Sequence, residues 1–149
     1  MENFKITPAQ ITASSQYSGS HVPNYGRLHY KGNSGAWSAQ ARDLHQWIQI
    51  KFGIETTVTY VATQGRHNIG QWVTRYKLQY SNDGNSFQVF KQKGENTDMV
   101  RIHTSEDEKL LTNTDANQLG AKTVRTNFLE QQTSTPQPQS IPDSWHAWN

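Results

Sequence analysis

Gln71-Trp72-Val73-Thr74-Arg75-Tyr76-Lys77-Leu78-Gln79-Tyr80-Ser81-Asn82-Asp83-Gly84-Asn85 decides the fold of this chain. Trp72, Thr74, Tyr76, Leu78 and Tyr80 fall on one side of an extended backbone, and Arg75, Lys77 and Gln79 on the other. Side chains alternate across a strand with a period of two, so this pattern predicts a half-buried antiparallel strand. Ser81 to Asn85 predicts a turn, because Asn and Asp hydrogen-bond their own backbone and Gly takes positive φ at little cost. Phe87 to Lys91 then returns as the partner strand.

The same signal continues upstream. Ile48, Ile50 and Phe52 alternate with Trp47, Gln49 and Lys51 until Gly53 breaks the run. Thr57-Val58-Thr59-Tyr60-Val61-Ala62-Thr63 is rich in β-branched residues and reads as one strand between two sheets. Downstream, Thr123 to Leu129 alternates weakly and admits a further strand. Short, closely spaced strands without a convincing amphipathic helix predict an all-β sandwich or jelly roll of antiparallel strands.

Composition bounds the function. The chain has 149 residues, enough for one domain with a buried core. Its hydrophobic share is 33%, but five Trp and six Tyr bury large areas and compensate. No stretch approaches a membrane span, and Met1 to Thr12 lacks the apolar centre of a signal peptide. There are no cysteines, which leaves the redox compartment open. Charge is unevenly spread: residues 1–80 carry eight Lys/Arg against three Asp/Glu, and residues 81–149 carry six against nine. A basic half favours acidic glycan or anionic lipid, although an ordinary solvated surface explains it too. No Lys/Arg cluster is dense enough to point to nucleic acid.

Five segments extend the reading from fold to family. They are Ile11-Thr12-Ala13-Ser14-Ser15, Gly35-Ala36-Trp37-Ser38-Ala39, Gln46-Trp47-Ile48-Gln49-Ile50, Ala62-Thr63-Gln64-Gly65-Arg66, and Gln71 through Gly84. In this order they resemble the first two thirds of a discoidin domain, the coagulation-factor type C module. The resemblance implies a β-sandwich with loop spikes at one end, binding glycans, anionic lipids or proteins. It also implies an extracellular or cell-surface location and a role in adhesion. The family usually ties its two ends by a disulfide, from which this cysteine-free chain departs.

The last third matches less well. Asn113-Thr114-Asp115 resembles the family's Asn-Thr-Asp turn, and Glu95-Asn96-Thr97-Asp98 fits it equally. Trp145 resembles the Trp that follows the family's late strand, yet Pro136-Gln137-Pro138-Gln139 stands where an apolar strand is expected, and the closing Leu-Arg strand is absent. The expected organisation is a sandwich over residues 1–129 and a Pro/Gln-rich, partly ordered tail over 130–149.

By resemblance, the ligand loops are Gln16 to Arg27, Lys31 to Trp37 and Arg66 to Gln71. Sugar recognition needs a flat apolar face and a few rigid polar groups. Tyr25 or Tyr17 offers the platform, and His21, Asn24, Asn33, Arg66, His67 and Asn68 offer the hydrogen bonds. The lipid alternative needs exposed apolar tips beside cations, for which Tyr17, Val22, Pro23 and Ile69 are the candidates, with Arg27, Lys31 and Arg66 nearby. A protein-contact module of a larger protein is a third reading.

Structural roles compete for several of these residues. Trp37, Trp47 and Trp72 read as packing, Arg42 and Asp43 as a surface loop, and Arg66 equally as a loop anchor or a ligand contact. The six His lack metal-ligand spacing, and Glu106 to Glu108 lacks the alternating oxygens of a calcium loop, so no metal or cofactor is expected. Neither a nucleophile elbow, a His-Glu-X-X-His motif nor a phosphate-binding glycine loop occurs, so no enzyme is expected.

Overall fold

The computed structural model describes residues 5–67, 69–91, 100–101, 109–112 and 119–133. Eight strands carry the fold: β1 (Ile11–Ala13), β2 (Trp47–Val58), β3 (Tyr60–Thr63), β4 (Gln71–Ser81), β5 (Gln88–Val89), β6 (Val100–Arg101), β7 (Lys109–Thr112) and β8 (Leu119–Thr133). They form an antiparallel sheet in the order β1-β2-β8-β4-β5, with β6 also on β4, and a second sheet of β3 and β7. β8 lies between β2 and β4, pairing Gln49 with Arg125 on one side and Gln79 with Arg125 on the other.

β4 follows the alternation of its sequence. Tyr76 is fully buried and Leu78 is 4% exposed, whereas Arg75, Lys77 and Gln79 are half-buried on the opposite face. Tyr76 packs with Trp37, Ile48 and Val73. Leu78, Ala121 and Val124 form the second cluster, with Phe52, Val58, Val61, Tyr80 and Phe90 around it. Val61 belongs to the smaller sheet, so this cluster is where the two layers meet. Burial pushes the Tyr76 phenol up to about 12.

The β4–β5 turn is built as its residues predict. Asp83 accepts hydrogen bonds from the Asn85 and Ser86 amides at 2.8 and 2.7 Å and from the Ser81 hydroxyl at 2.8 Å. Gly84 adopts φ +77°, a conformation costly for any residue with a Cβ. These donors hold the Asp83 carboxyl well below the usual carboxylate range.

Three expectations need correction. Gly53 does not end its strand: at φ +85° it sits in a bulge, where Lys51 to Thr56 on β2 oppose Thr123 to Ala121 on β8. The bulge projects Ile54, which is 74% exposed. Thr57 to Thr63 is not one strand, because the chain leaves the main sheet after Val58 and re-enters the smaller one at Tyr60. Trp47 is not a core residue. It alternates with Ile48, and its ring lies 4.3 Å from the guanidinium of Arg125.

Arg125 ties the outer face of the main sheet. Its guanidinium also lies 3.7 Å from the Phe87 ring, and its Nε and NH2 groups donate to Gln49 Oε1 at 2.9 and 2.7 Å. One cation therefore joins β2, β8 and the start of the returning chain at Phe87. β8 runs to Thr133, four residues past position 129. The two Asn-Thr-Asp candidates, the Glu106–Glu108 run and residues 134–149 lie outside the described residues.

Candidate functional site

Three loops converge at the end of the sandwich where β4 begins. The first is held by the start of β2: the Ser14 and Ser15 hydroxyls donate to Gln46 Oε1 at 2.8 and 2.6 Å, and Gln46 is 6% exposed. Trp37 Nε1 donates to the Ser15 carbonyl at 2.9 Å, and the Tyr17 amide to the Ser38 carbonyl at 2.8 Å, which joins the first loop to the second. A short 3-10 turn, Pro23–Gly26, then brings the chain over Ile48. A Cβ on Gly26 would stand 2.9 Å from Ile48 Cδ1, so the approach requires glycine.

Arg66 joins the third loop to the second. Its Nε donates to the Ser34 carbonyl at 2.6 Å, and its NH1 to Gln71 Oε1 at 2.8 Å. The loop closes on itself through the Arg66 amide to the Gln71 carbonyl at 2.9 Å. Gly35, at φ +71°, lets the second loop pass so close to His67 that a Cβ there would meet His67 Cβ at 3.2 Å. The backbone amide of His29 donates to Gln64 Oε1 at 2.9 Å, a further tie between loops.

His21 faces this junction from the first loop. The Ser18 and Ser20 hydroxyls lie 2.9 and 3.2 Å from its Nδ1, and Tyr17 packs edge-on at 5.3 Å between ring centroids. Burial, then the positive charge of Arg66, lowers its affinity for a proton. Tyr25 stacks on Tyr30 with centroids 4.7 Å apart and planes 7° from parallel. Asn33 Nδ2 donates to the Tyr30 hydroxyl at 3.1 Å.

The candidates therefore separate into groups. His21, Arg66 and His67 come together at one junction, and Asn33 sits beside it, next to Ser34. Asn24 is turned inward: its Oδ1 accepts from Arg27 Nε at 2.8 Å, and Arg27 is itself only 5% exposed. Tyr25 has one ring face covered by Tyr30. Asn68 lies outside the described residues. Of the apolar tips, Tyr17 and Ile69 are 68% and 46% exposed, while Val22 and Pro23 are half-buried where the 3-10 turn begins. Asp43 accepts from the His45 amide and the Gln46 side chain, each at 2.8 Å, and so organises its surface loop.

Sequence reasoning missed Gln71 and Tyr30. Gln71 opens a strand and gave no sign of closing on Arg66, and Tyr30 lay between the two loops considered. Among the described residues no group of three His, Cys, Asp or Glu is placed to hold a metal ion.

A β-sandwich whose loops gather at one pole around aromatic rings and a guanidinium is the architecture of a recognition module. Residues 10–141 match the F5/8 type C domain family, and the chain belongs to that family, the discoidin domains. The human EGF-like repeat and discoidin I-like domain-containing protein 3 is 41% identical over 107 residues, covering 67% of this chain and 22% of that protein. The chain thus spans less than a quarter of that relative's length. Discoidin II of Dictyostelium discoideum superposes with a TM-score of 0.71 at 20% identity, over 82% of this chain and 50% of its own. A family 32 carbohydrate-binding module of Clostridium perfringens, solved with GalNAc-β-1,3-galactose, gives a TM-score of 0.63 at 20% identity, over 84% and 88% of the two chains. Domains of this fold often bind carbohydrate or phospholipid and are typically non-catalytic.

Proposed function

We propose that this domain is a non-catalytic module that binds cell-surface or matrix carbohydrate at its loop pole, outside the cell, in the service of adhesion. The convergence of His21, Arg66 and His67 on one junction carries the reading. Arg66 spends two of its five donors on Ser34 and Gln71. The remainder form a rigid fork suited to sugar hydroxyls, and the nearby tyrosine rings suit stacking. Similarity to a carbohydrate-binding module solved with a galactose-containing disaccharide supports the same class of ligand.

The test is calorimetric titration with GalNAc-β-1,3-galactose. Arg66→Ala should weaken binding about tenfold, the loss of one or two charge-assisted hydrogen bonds. Unchanged affinity removes Arg66 from the site. Because Arg66 also ties two loops, the melting temperature is measured alongside, and lost cooperativity would make its role structural.

A second reading is peripheral binding to anionic phospholipid membranes. The exposure of Tyr17 and Ile69, at 68% and 46%, supports it. Co-sedimentation with phosphatidylserine vesicles that fails in Tyr17→Ser and Ile69→Ser would favour it over the sugar.

A further inference from the structure

The loop pole is built from sequence without a single carboxylate. Residues 3–42 and 56–82 supply all three loops, and neither segment contains Asp or Glu. They do contain Arg27, Lys31, Arg42 and Arg66, together with His21, His29 and His67. The Arg66 guanidinium is held by two neutral acceptors, the Ser34 carbonyl at 2.6 Å and Gln71 Oε1 at 2.8 Å. Those bonds fix its position and leave its charge intact. Arg27 is packed beneath the first loop, donating to Asn24 Oδ1 and to the Ile6 carbonyl at 2.8 and 2.6 Å. Lys31 is exposed at the start of the second loop, three residues before Ser34.

Carboxylates of the described chain lie elsewhere. Asp83 occupies the turn after β4, whereas Arg66 and Gln71 stand at its beginning. An 11-residue strand therefore separates them, about 35 Å at strand rise. Glu55 is in the bulge of β2, its side chain against Gly120 of β8. Positive potential is thus concentrated at the pole that carries the junction, with no internal anion to cancel it.

A neutral sugar needs hydrogen-bond donors and acceptors but no such field. We infer that the ligand of this pole carries an anionic substituent, an acidic glycan bearing sulfate or carboxylate groups, bound by Arg66 with Lys31 contributing charge at the rim. A guanidinium with paired free N–H groups matches the two oxygens of a sulfate or carboxylate. This inference rests on the carbohydrate reading above. A membrane is the less suitable source of the anion, because Val22 and Pro23 are half-buried and only Tyr17 and Ile69 protrude among the four apolar candidates.

The experiment compares a sulfated galactose oligosaccharide, its desulfated counterpart and phosphatidylserine-containing vesicles on the full chain. The sulfated sugar should bind at least about tenfold tighter than the desulfated one at low salt, and lose most of that advantage near 0.5 M salt. Lys31→Gln should reduce affinity for the sulfated sugar about threefold and flatten its salt dependence, with an unchanged melting temperature. Equal affinity for the two sugars overturns the inference and leaves the carbohydrate reading standing. Binding of neither sugar overturns both. Tighter binding to the vesicles, abolished by Tyr17→Ser and Ile69→Ser, places the anion on a lipid and overturns the glycan assignment.

Discussion

A single absent Cβ governs how two of the loops meet. Gly35 sits at φ +71°, and its missing methyl leaves 3.2 Å to His67 Cβ. Gly35→Ala should cost about 1–2 kcal/mol through the left-handed backbone alone. It should also push His67 away from the junction, so that disaccharide affinity falls by more than the melting temperature suggests, a comparison that titration and thermal unfolding make directly. His21 gives the residue scale its pH dependence. Burial and the charge of Arg66 depress its folded proton affinity below the ordinary value of 6.5. Its contribution is therefore present above that value and is lost as pH falls below it through the lowered folded pKa. Melting temperatures between about pH 7.5 and 5 should decline more steeply for the wild type than for His21→Asn. Equal slopes would assign the acid sensitivity to other groups.

At the scale of elements, the outer face of the main sheet depends on Arg125, held between Trp47 and Phe87 and bonded to Gln49. Two cation–π contacts and a doubly donated hydrogen bond, all half-buried, should make Arg125→Ala destabilising by about 2–3 kcal/mol in urea unfolding. A change below about 0.5 kcal/mol would show that the stack is ornamental. None of this was legible beforehand, because Trp47 and Arg125 are 78 positions apart and only the strand order brings them together. What was legible was local. β4 and its turn obey an alternation and an Asx pattern that involve neighbouring residues alone. Gly53 and Thr59 were misjudged because a bulge and a change of sheet depend on what the opposite strand does, not on propensity.

At the scale of the whole molecule, the site followed a similar rule. The motif order located the loops, and the loops contain His21, Arg66 and His67, but the contacts between them run through backbone carbonyls and a glutamine that no residue pattern singles out. Charge behaves differently, since the absence of Asp and Glu from residues 3–42 and 56–82 is visible by inspection and acquires meaning only once those segments share a pole. The position of β8 has a temporal consequence. Because this late segment is the shared neighbour of β2 and β4, a growing chain leaving the ribosome carries both of those strands before the one that joins them exists. Each presents an unpaired edge for as long as it takes to synthesise the intervening segment, and the closing contacts span long sequence separations. A nascent chain stalled before Leu119 should therefore be digested rapidly by added protease, and one released after Thr133 should resist it, so that this domain acquires its fold abruptly and late in translation.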